Sequence, residues 1–360
     1  MTLFGKVLTF WEIHVILTPV IALQKPARPA TGGAPAGAPL FHYQEVYIFM
    51  PKPFLTYEQQ ISKLTNEKNL IISSLSDAEG YLRRIGYYAL ICGYKDIFKN
   101  PTTKKYKDGV TFEEIVALYR FDEELRELFL KYLIRIERHL RSAISYYFTA
   151  LHGESQLEYL NPANYNNISK NYNGINKLIS MLSVLANENT QYAHIVHNRN
   201  NYNNVPLWVV MTGLTFGSLS KMYKYLTSNI RSKVSQDLNI RNQKELQQYL
   251  SVLTSFRNFC AHGERLFSRK VKENIPDTEL HRKLRIPKTG ENYKYGKGDL
   301  FSIVIAFRYL IPSEDFLKFK ETLVNLINSF LKKTTHVTEE ELLRRMGFPV
   351  NWKYITRYKK

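Results

Sequence analysis

Arg257 and His262 are the two residues whose types and spacing most directly suggest chemistry. They lie in the segment Ser255-Phe-Arg-Asn-Phe-Cys-Ala-His-Gly-Glu-Arg-Leu-Phe267. A histidine can transfer a proton near neutral pH, and a guanidinium group can bind a phosphate through two hydrogen bonds. RNA supplies its own nucleophile, the 2′-hydroxyl. This pair of side chains could therefore cleave RNA without a metal ion or a nucleophile from the protein.

An amphipathic helix is predicted to position this pair, over Lys244 to Phe259. Its apolar stripe consists of Leu246, Leu250, Leu253 and Phe256. Arg257, Asn258 and His262 lie off that stripe. Residues four apart share a helix face, so Asn258 and His262 would project together, with Arg257 at the rim. Whether the helix continues through Gly263 is open, and a local unwinding there would bring the arginine and the histidine closer.

The composition agrees with a polyanionic partner. The 360 residues include 50 Lys and Arg against 32 Asp and Glu, a net charge of +18, and the 44% hydrophobic content excludes disorder over the whole chain. Cys92 and Cys260 are too few for a disulfide framework or a four-thiolate zinc site, which favours the reducing cytoplasm. P-loop, GxGxxG, GxSxG and HExxH motifs are absent, so nucleotide hydrolysis, dinucleotide chemistry and zinc proteolysis have no support.

The first 49 residues differ from the rest of the chain. Residues 3–23 are apolar but interrupted by Lys6, Glu12, His14 and Pro19, which makes a poor transmembrane helix. A Pro/Gly/Ala-rich linker follows over residues 25–39. We expect residues 1–49 to be an extension outside the fold, which would begin near Met50, with no membrane partner. The alternative is a membrane effector anchored by residues 3–23.

Apolar periodicity predicts an all-α helical bundle over residues 50–335, followed by a basic C-terminal tail over residues 336–360. Glu113 to Leu151 is the longest periodic run and forms either one long helix or two helices with a break near Asp122. Strand signals are few, and Tyr293 to Lys297 predicts a turn or hairpin tip. The other predicted helices cover residues 57–69, 175–185, 244–259, 300–310 and 316–331, with further starts at Ser76, Pro206 and Gly217.

Arg257-Asn-Phe-Cys-Ala-His262 resembles the Arg-x4-6-His motif of HEPN-superfamily ribonucleases, including the polar residue directly after the arginine. Other segments occur in the order typical of abortive-infection (Abi) proteins of the AbiD/AbiF type. They are Lys52 to Tyr57, Tyr81 to Leu90, Phe121-Asp122, Ile136 to Arg141, Leu207-Trp208, Thr215 to Gly217 and Arg257 to Arg265. The resemblance covers about residues 51–330.

This resemblance implies a bacterial antiphage protein with an HEPN-like helical bundle and additional helices. Such a protein cleaves RNA without a metal or cofactor and leaves a 2′,3′-cyclic phosphate and a 5′-hydroxyl. The resemblance assigns Arg257 and His262 as the catalytic pair, and Asn258 as the polar companion that orients the histidine or contacts phosphate. The runner-up is a catalytically silent RNA-binding or regulatory module on the same fold.

The resemblance also implies a homodimer, because HEPN sites are usually composite across two domains and the chain has one good motif. The near match from Arg135 to His139 has a gap of three residues, which argues against a second site within the chain. A small noncoding RNA is a further partner that the resemblance allows, beside the RNA substrate.

Several residues near these motifs have two interpretations. Glu264 and Arg265 either support the site or lie in a solvated turn. Glu137 favours an ordinary ion pair with Arg141, although it could instead position a catalytic arginine. Outside the motif, His194 and His197 have the spacing of two metal ligands, but we expect them to be surface histidines. Tyr87 and Tyr88 favour packing in the bundle over stacking on RNA.

Overall fold

A computed structural model of the chain describes residues 14–15, 47–48, 52–188 and 190–358. The chain divides into two units, Met1–Gln60 and Ile61–Lys360. The prediction of an all-α fold is confirmed, since the described residues are mainly helical. Within those ranges, none of the helices has the length and hydropathy needed to cross a membrane. Most of the predicted extension lies outside the described residues, including all of the alternative anchor at residues 3–23 except residues 14–15.

In chain order, the α-helices of the described residues are α1 Tyr57–Ser62, α2 Leu75–Ile85, α3 Phe112–His152, α4 Gln156–Leu160, α5 Tyr172–Asn187, α6 Ala193–Tyr202, α7 Leu207–Val210, α8 Phe216–Tyr225, α9 Ser228–Asp237, α10 Gln243–Ala261, α11 Glu279–Lys283, α12 Leu300–Leu310, α13 Ser313–Leu331 and α14 Glu339–Met346. Two antiparallel strand pairs are described, β1 His14–Val15 with β2 Tyr47–Ile48, and β3 Lys288–Thr289 with β4 Asn292–Tyr293. The second pair ends where the sequence predicted a hairpin tip.

Helix α3 is the axis of the second unit. Its 41 residues span about 62 Å, and it is one continuous helix, without a break near Asp122. A capping box begins it, because the Thr111 hydroxyl accepts from the Glu114 N–H and the Glu114 carboxylate accepts from the Thr111 N–H. Helices α10 and α13 pack along it. Its buried apolar side chains include Leu118, Leu125, Phe129, Leu133, Leu140 and Ile144.

Five α-helices of the described residues were not predicted, the two short helices α4 and α11 and three longer ones, α6, α9 and α14. Helix α6 lies in the Asn-rich region that favoured a loop, and Ile195 is its fully buried residue. Helix α9 buries Ile230 and Val234 within an otherwise polar segment. The third, α14, is rich in charged residues and falls in the predicted tail.

The predicted basic tail, residues 336–360, is folded over its described part, which ends at Tyr358. Helix α14 buries Leu342, Leu343 and Met346. The indole of Trp352 is fully buried in the 3-10 helix that follows, and the Asn351 side chain donates to the Leu284 carbonyl at 3.0 Å. Lysines and arginines had indicated a solvated segment, but the apolar residues between them pack. The predicted boundary at residue 335 remains a prediction.

We expect Gly347→Ala to destabilise the protein far more than Gly290→Ala. Both glycines have positive φ, +77° and +58°, which costs alanine about 1–2 kcal/mol. A Cβ at Gly347 would lie 2.4 Å from Asp299 Cγ, whereas one at Gly290 would contact nothing within 4 Å. Overpacking adds about 1–3 kcal/mol at Gly347 alone. Thermal and urea unfolding of the two variants measure the difference, and equal small effects would contradict the packing of α14.

Candidate active site

Helix α10 ends at the predicted catalytic histidine. The helix runs to Ala261, and His262 is its C-cap residue. Gly263 has a φ of +68°, and the Glu264 N–H donates to the Phe259 carbonyl at 3.0 Å. This is a Schellman motif, in which a glycine in the left-handed region reverses the chain after a helix. The question of helical continuation is thereby answered, since the chain turns directly after His262.

Arg257 lies beside Glu137 of helix α3 and forms an ion pair with it that lacks a hydrogen bond. The Arg257 Nε lies 3.4 Å from Glu137 Oε2, while Glu137 Oε1 accepts a hydrogen bond of 2.9 Å from Arg141. Arg141 is fixed in turn by the carbonyls of Met211 and Leu214, at 3.0 and 3.2 Å. Both interpretations of Glu137 are therefore realised, because it pairs with its helix neighbour and also with the candidate catalytic arginine.

His262 and Asn258 are both exposed, as their position off the apolar stripe predicted. Among the described residues, none forms a hydrogen bond or ion pair with the His262 imidazole. Asn258 lines a polar groove of about 1200 Å³ along α10, which Lys221, Lys224 and Lys244 also line. The imidazole is thus accessible from solvent. The groove is of mixed charge, since Glu245, Glu273 and Asp277 also line it.

Glu264 and Arg265 lie in the exposed turn after the helix but are not free in solution. The Glu264 carboxylate pairs with Arg269, whose guanidinium lies 4.2 Å from the centre of the Phe259 ring. The Arg265 guanidinium donates to the Gly93 carbonyl at 2.6 Å. These contacts hold the turn in place, and neither side chain contacts His262 or Arg257.

Asp122 of α3 anchors the same turn and is the residue whose importance the sequence reasoning missed. Its fully buried carboxylate accepts from the backbone N–H groups of Leu266 and Phe267 at 2.9 and 2.6 Å. It also accepts from the Tyr94 hydroxyl and from Arg126, both at 2.7 Å. One signal was available, because Asp122 occupies a position on the buried face of α3, between Leu118 and Leu125.

Burial raises the pKa of the Asp122 carboxyl, while the donated hydrogen bonds and the Arg126 guanidinium oppose that rise. All four partners present a donor to the carboxylate, so the ion pair and the backbone contacts support one another. Burial likewise raises the pKa of the Cys260 thiol, within the motif, to about 12. That thiol therefore stays protonated at neutral pH and is a poor nucleophile.

The other candidates from the sequence are engaged elsewhere. Arg135 pairs with Asp315 at 2.6 Å, and the His139 imidazole lies 3.3 Å from Asp237. His194 and His197 are both exposed, and the first contacts the Thr212 hydroxyl. Of the two tyrosines beside α2, Tyr88 is exposed, contrary to the packing that we expected, and Tyr87 is partly buried.

The arrangement as a whole places an accessible imidazole at the end of α10 and a positioned guanidinium one and a half turns earlier. The first group could move protons, and the second could bind a phosphodiester. Glu137 neutralises one of its two arginine partners, so positive charge remains available for an anion. The assignment of Arg257 and His262 as a catalytic pair stays a prediction.

Comparison with known proteins gives one match. The model of a family described as Abi-like protein matches residues 80–268, just over half of the chain. The match includes helix α3, helix α10 and the turn after it. No curated protein and no solved structure matches the chain.

We expect Asp122→Asn to cost about 3–5 kcal/mol of folding free energy, because it leaves the buried Arg126 without its counter-ion. Glu123→Gln is the matched control on the next position of α3. Glu123 pairs with Arg120 at 2.7 Å, with both side chains more than a third exposed, and such pairs contribute about 0–1 kcal/mol. Urea unfolding of both variants measures the contrast. Similar losses would show that Asp122 does not anchor the turn.

Proposed function

The chain belongs to the family of Abi-like proteins, and from this premise we propose that it is an antiphage abortive-infection protein that acts as an endoribonuclease. Abortive infection is the defence to which the family points. The finer assignment, to the AbiD/AbiF type and the HEPN superfamily, is part of the proposal and is supported by the Arg257 to His262 motif. We propose the cytoplasm as its location.

The observation that carries the proposal is the contrast between the two candidate side chains. The Arg257 side chain is 28% exposed and forms an ion pair with Glu137, whereas the His262 imidazole is exposed directly after the helix. A phosphate-binding group benefits from a fixed position, while a proton-transferring group must reach the substrate. Both requirements are met at the same end of α10.

The proposed reaction uses RNA as its own nucleophile. The 2′-oxygen attacks the adjacent phosphorus, and its proton passes to a base, for which His262 is the candidate. The bond to the 5′-oxygen breaks, and that oxygen takes up a proton. The products are a 2′,3′-cyclic phosphate and a 5′-hydroxyl. Arg257 would stabilise the negative charge that builds on the phosphoryl oxygens, and no metal ion or cofactor is required.

We expect His262→Ala and Arg257→Ala each to lower RNA cleavage by about 10²- to 10⁴-fold. The full chain is incubated with total RNA in EDTA, and the product ends are analysed for cyclic phosphate. The double variant Arg135→Ala/His139→Ala is the matched control, because it removes the same residue types from ion pairs elsewhere on the protein. The control should retain the wild-type rate.

Cleavage that survives His262→Ala would contradict the proposed site. A wild-type protein that binds RNA with steep salt dependence but does not cleave it would instead favour the silent RNA-binding module. Binding of a small noncoding RNA is a related proposal, since it would use the same positive charge.

We also propose that the protein is a homodimer with a composite site, in which His262 of one chain supplies the base and that of the other the acid. A heterodimer of one wild-type and one His262→Ala chain, purified through two different tags, should then cleave at well below half the wild-type rate. Half the rate or more would indicate independent sites. Light scattering measures the oligomeric state beforehand.

A further inference from the structure

A second groove, of about 600 Å³, lies along helix α3 beside the start of α7. Two aromatic side chains line it, Trp208 and Tyr146, with exposed fractions of 49% and 68%. Arg138 and Arg141 line it as well, and none of its lining residues carries a carboxylate. The groove is thus apolar in its walls and cationic at its edge.

Exposed aromatic rings of this size are unfavourable in water unless something covers them. A nucleic acid base fits such a place, because every base has a flat apolar face that stacks on an aromatic ring. The hydroxyl of Thr149, in the same groove, is buried and has no hydrogen-bond partner among the described residues.

Charge favours an anionic occupant. Arg138 is exposed and pairs with no carboxylate among the described residues. Arg141 lines the groove and pairs with Glu137, which also contacts Arg257. Arg141 and Arg257 therefore share one carboxylate, and Arg138 has none among the described residues, so positive charge is in excess beside the groove.

A second copy of the chain fits this surface less well. In a two-fold interface the same patch meets itself, so the arginines of one chain would face those of the other. Like charges across an interface are unfavourable, and the groove supplies no carboxylate to compensate them. The phosphates of a nucleic acid would supply that negative charge.

We propose that this groove binds unpaired nucleotides of the RNA that flank the scissile phosphate. Trp208 and Tyr146 stack on bases, and Arg138 binds a phosphate. The inference rests on the proposed function, since Arg257 marks the position of the scissile phosphate. It adds a substrate preference, for single-stranded over double-stranded RNA, because paired bases cannot reach the aromatic rings.

The test measures RNA binding in the full-length His262→Ala protein, so that the RNA stays intact. Trp208→Ala should weaken the binding of a single-stranded RNA oligonucleotide by roughly 5- to 150-fold, and Trp208→Phe should retain most of the affinity. Tyr354→Ala is the matched control, because Tyr354 is another exposed aromatic residue beside an arginine, Arg357, but lies outside the groove. The RNA affinity of the Tyr354→Ala variant should be unchanged.

The salt dependence of binding separates the two kinds of contact. Arg138→Ala should lower the slope of log Kd against log salt by about 1, whereas Trp208→Ala should leave the slope unchanged. An oligonucleotide made of abasic nucleotides should bind with equal affinity to the protein with Trp208 and to the Trp208→Ala variant, because it has no base to stack on the indole.

If Trp208→Ala binds single-stranded RNA as tightly as the parent protein does, the proposal that this groove binds RNA is wrong, whether or not the wild-type protein cleaves RNA. A loss of dimer mass in that variant, with RNA affinity intact, would assign the groove to a second copy instead. Absence of cleavage by the wild type would contradict the proposed function separately, because the binding measurements do not depend on cleavage.

Discussion

A carboxylate buried in a helical bundle must meet hydrogen-bond donors or a cation, because its desolvation is otherwise unfavourable. Helix α3 carries three such carboxylates, Glu114, Asp122 and Glu137, with exposed fractions of 6%, 0% and 6%. A different part of the chain meets each of them. Glu114 accepts from residues 334–336, Asp122 from residues 266–267, and Glu137 pairs with Arg257. The register of one helix therefore fixes the places of three segments that are distant in sequence.

Two of these carboxylates define the candidate site. Glu137 forms an ion pair with Arg257 of α10, and Asp122 binds the turn that follows the same helix. Gly263 reverses the chain between these two points. The backbone around His262 is thus held on both sides, while the imidazole itself remains exposed. Under the proposed function, this arrangement would combine a phosphate-binding guanidinium beside α3 with an accessible imidazole for proton transfer.

The sequence predicted the helix bounds closely where apolar side chains follow one stripe along the helix. Helix α12 has the predicted bounds, and α10 differs by one residue at its start and two at its end. Periodicity was insufficient in α6, which is mostly polar and has one fully buried residue, Ile195. Helix α14 has an amphipathic pattern, but its many charged residues favoured a solvated tail. The sequence allowed Glu137 to pair with either Arg141 or a catalytic arginine, and it favoured Arg141 because that residue lies four positions along the same helix. Long-range pairs of this kind depend on how helices pack, which one sequence does not reveal.

The ion pairs around Glu137 also bear on how much negative charge the proposed site can hold. Arg141 and Arg257 share one carboxylate, which leaves one positive charge per chain. A phosphodiester carries one negative charge, and attack by the 2′-oxygen builds a second on the phosphoryl oxygens. One chain would match the bound RNA but not the transition state. In the proposed dimer, the partner subunit's Arg257 would supply the missing positive charge. Its contribution would grow as the phosphate becomes more negative, as selective binding of a transition state requires.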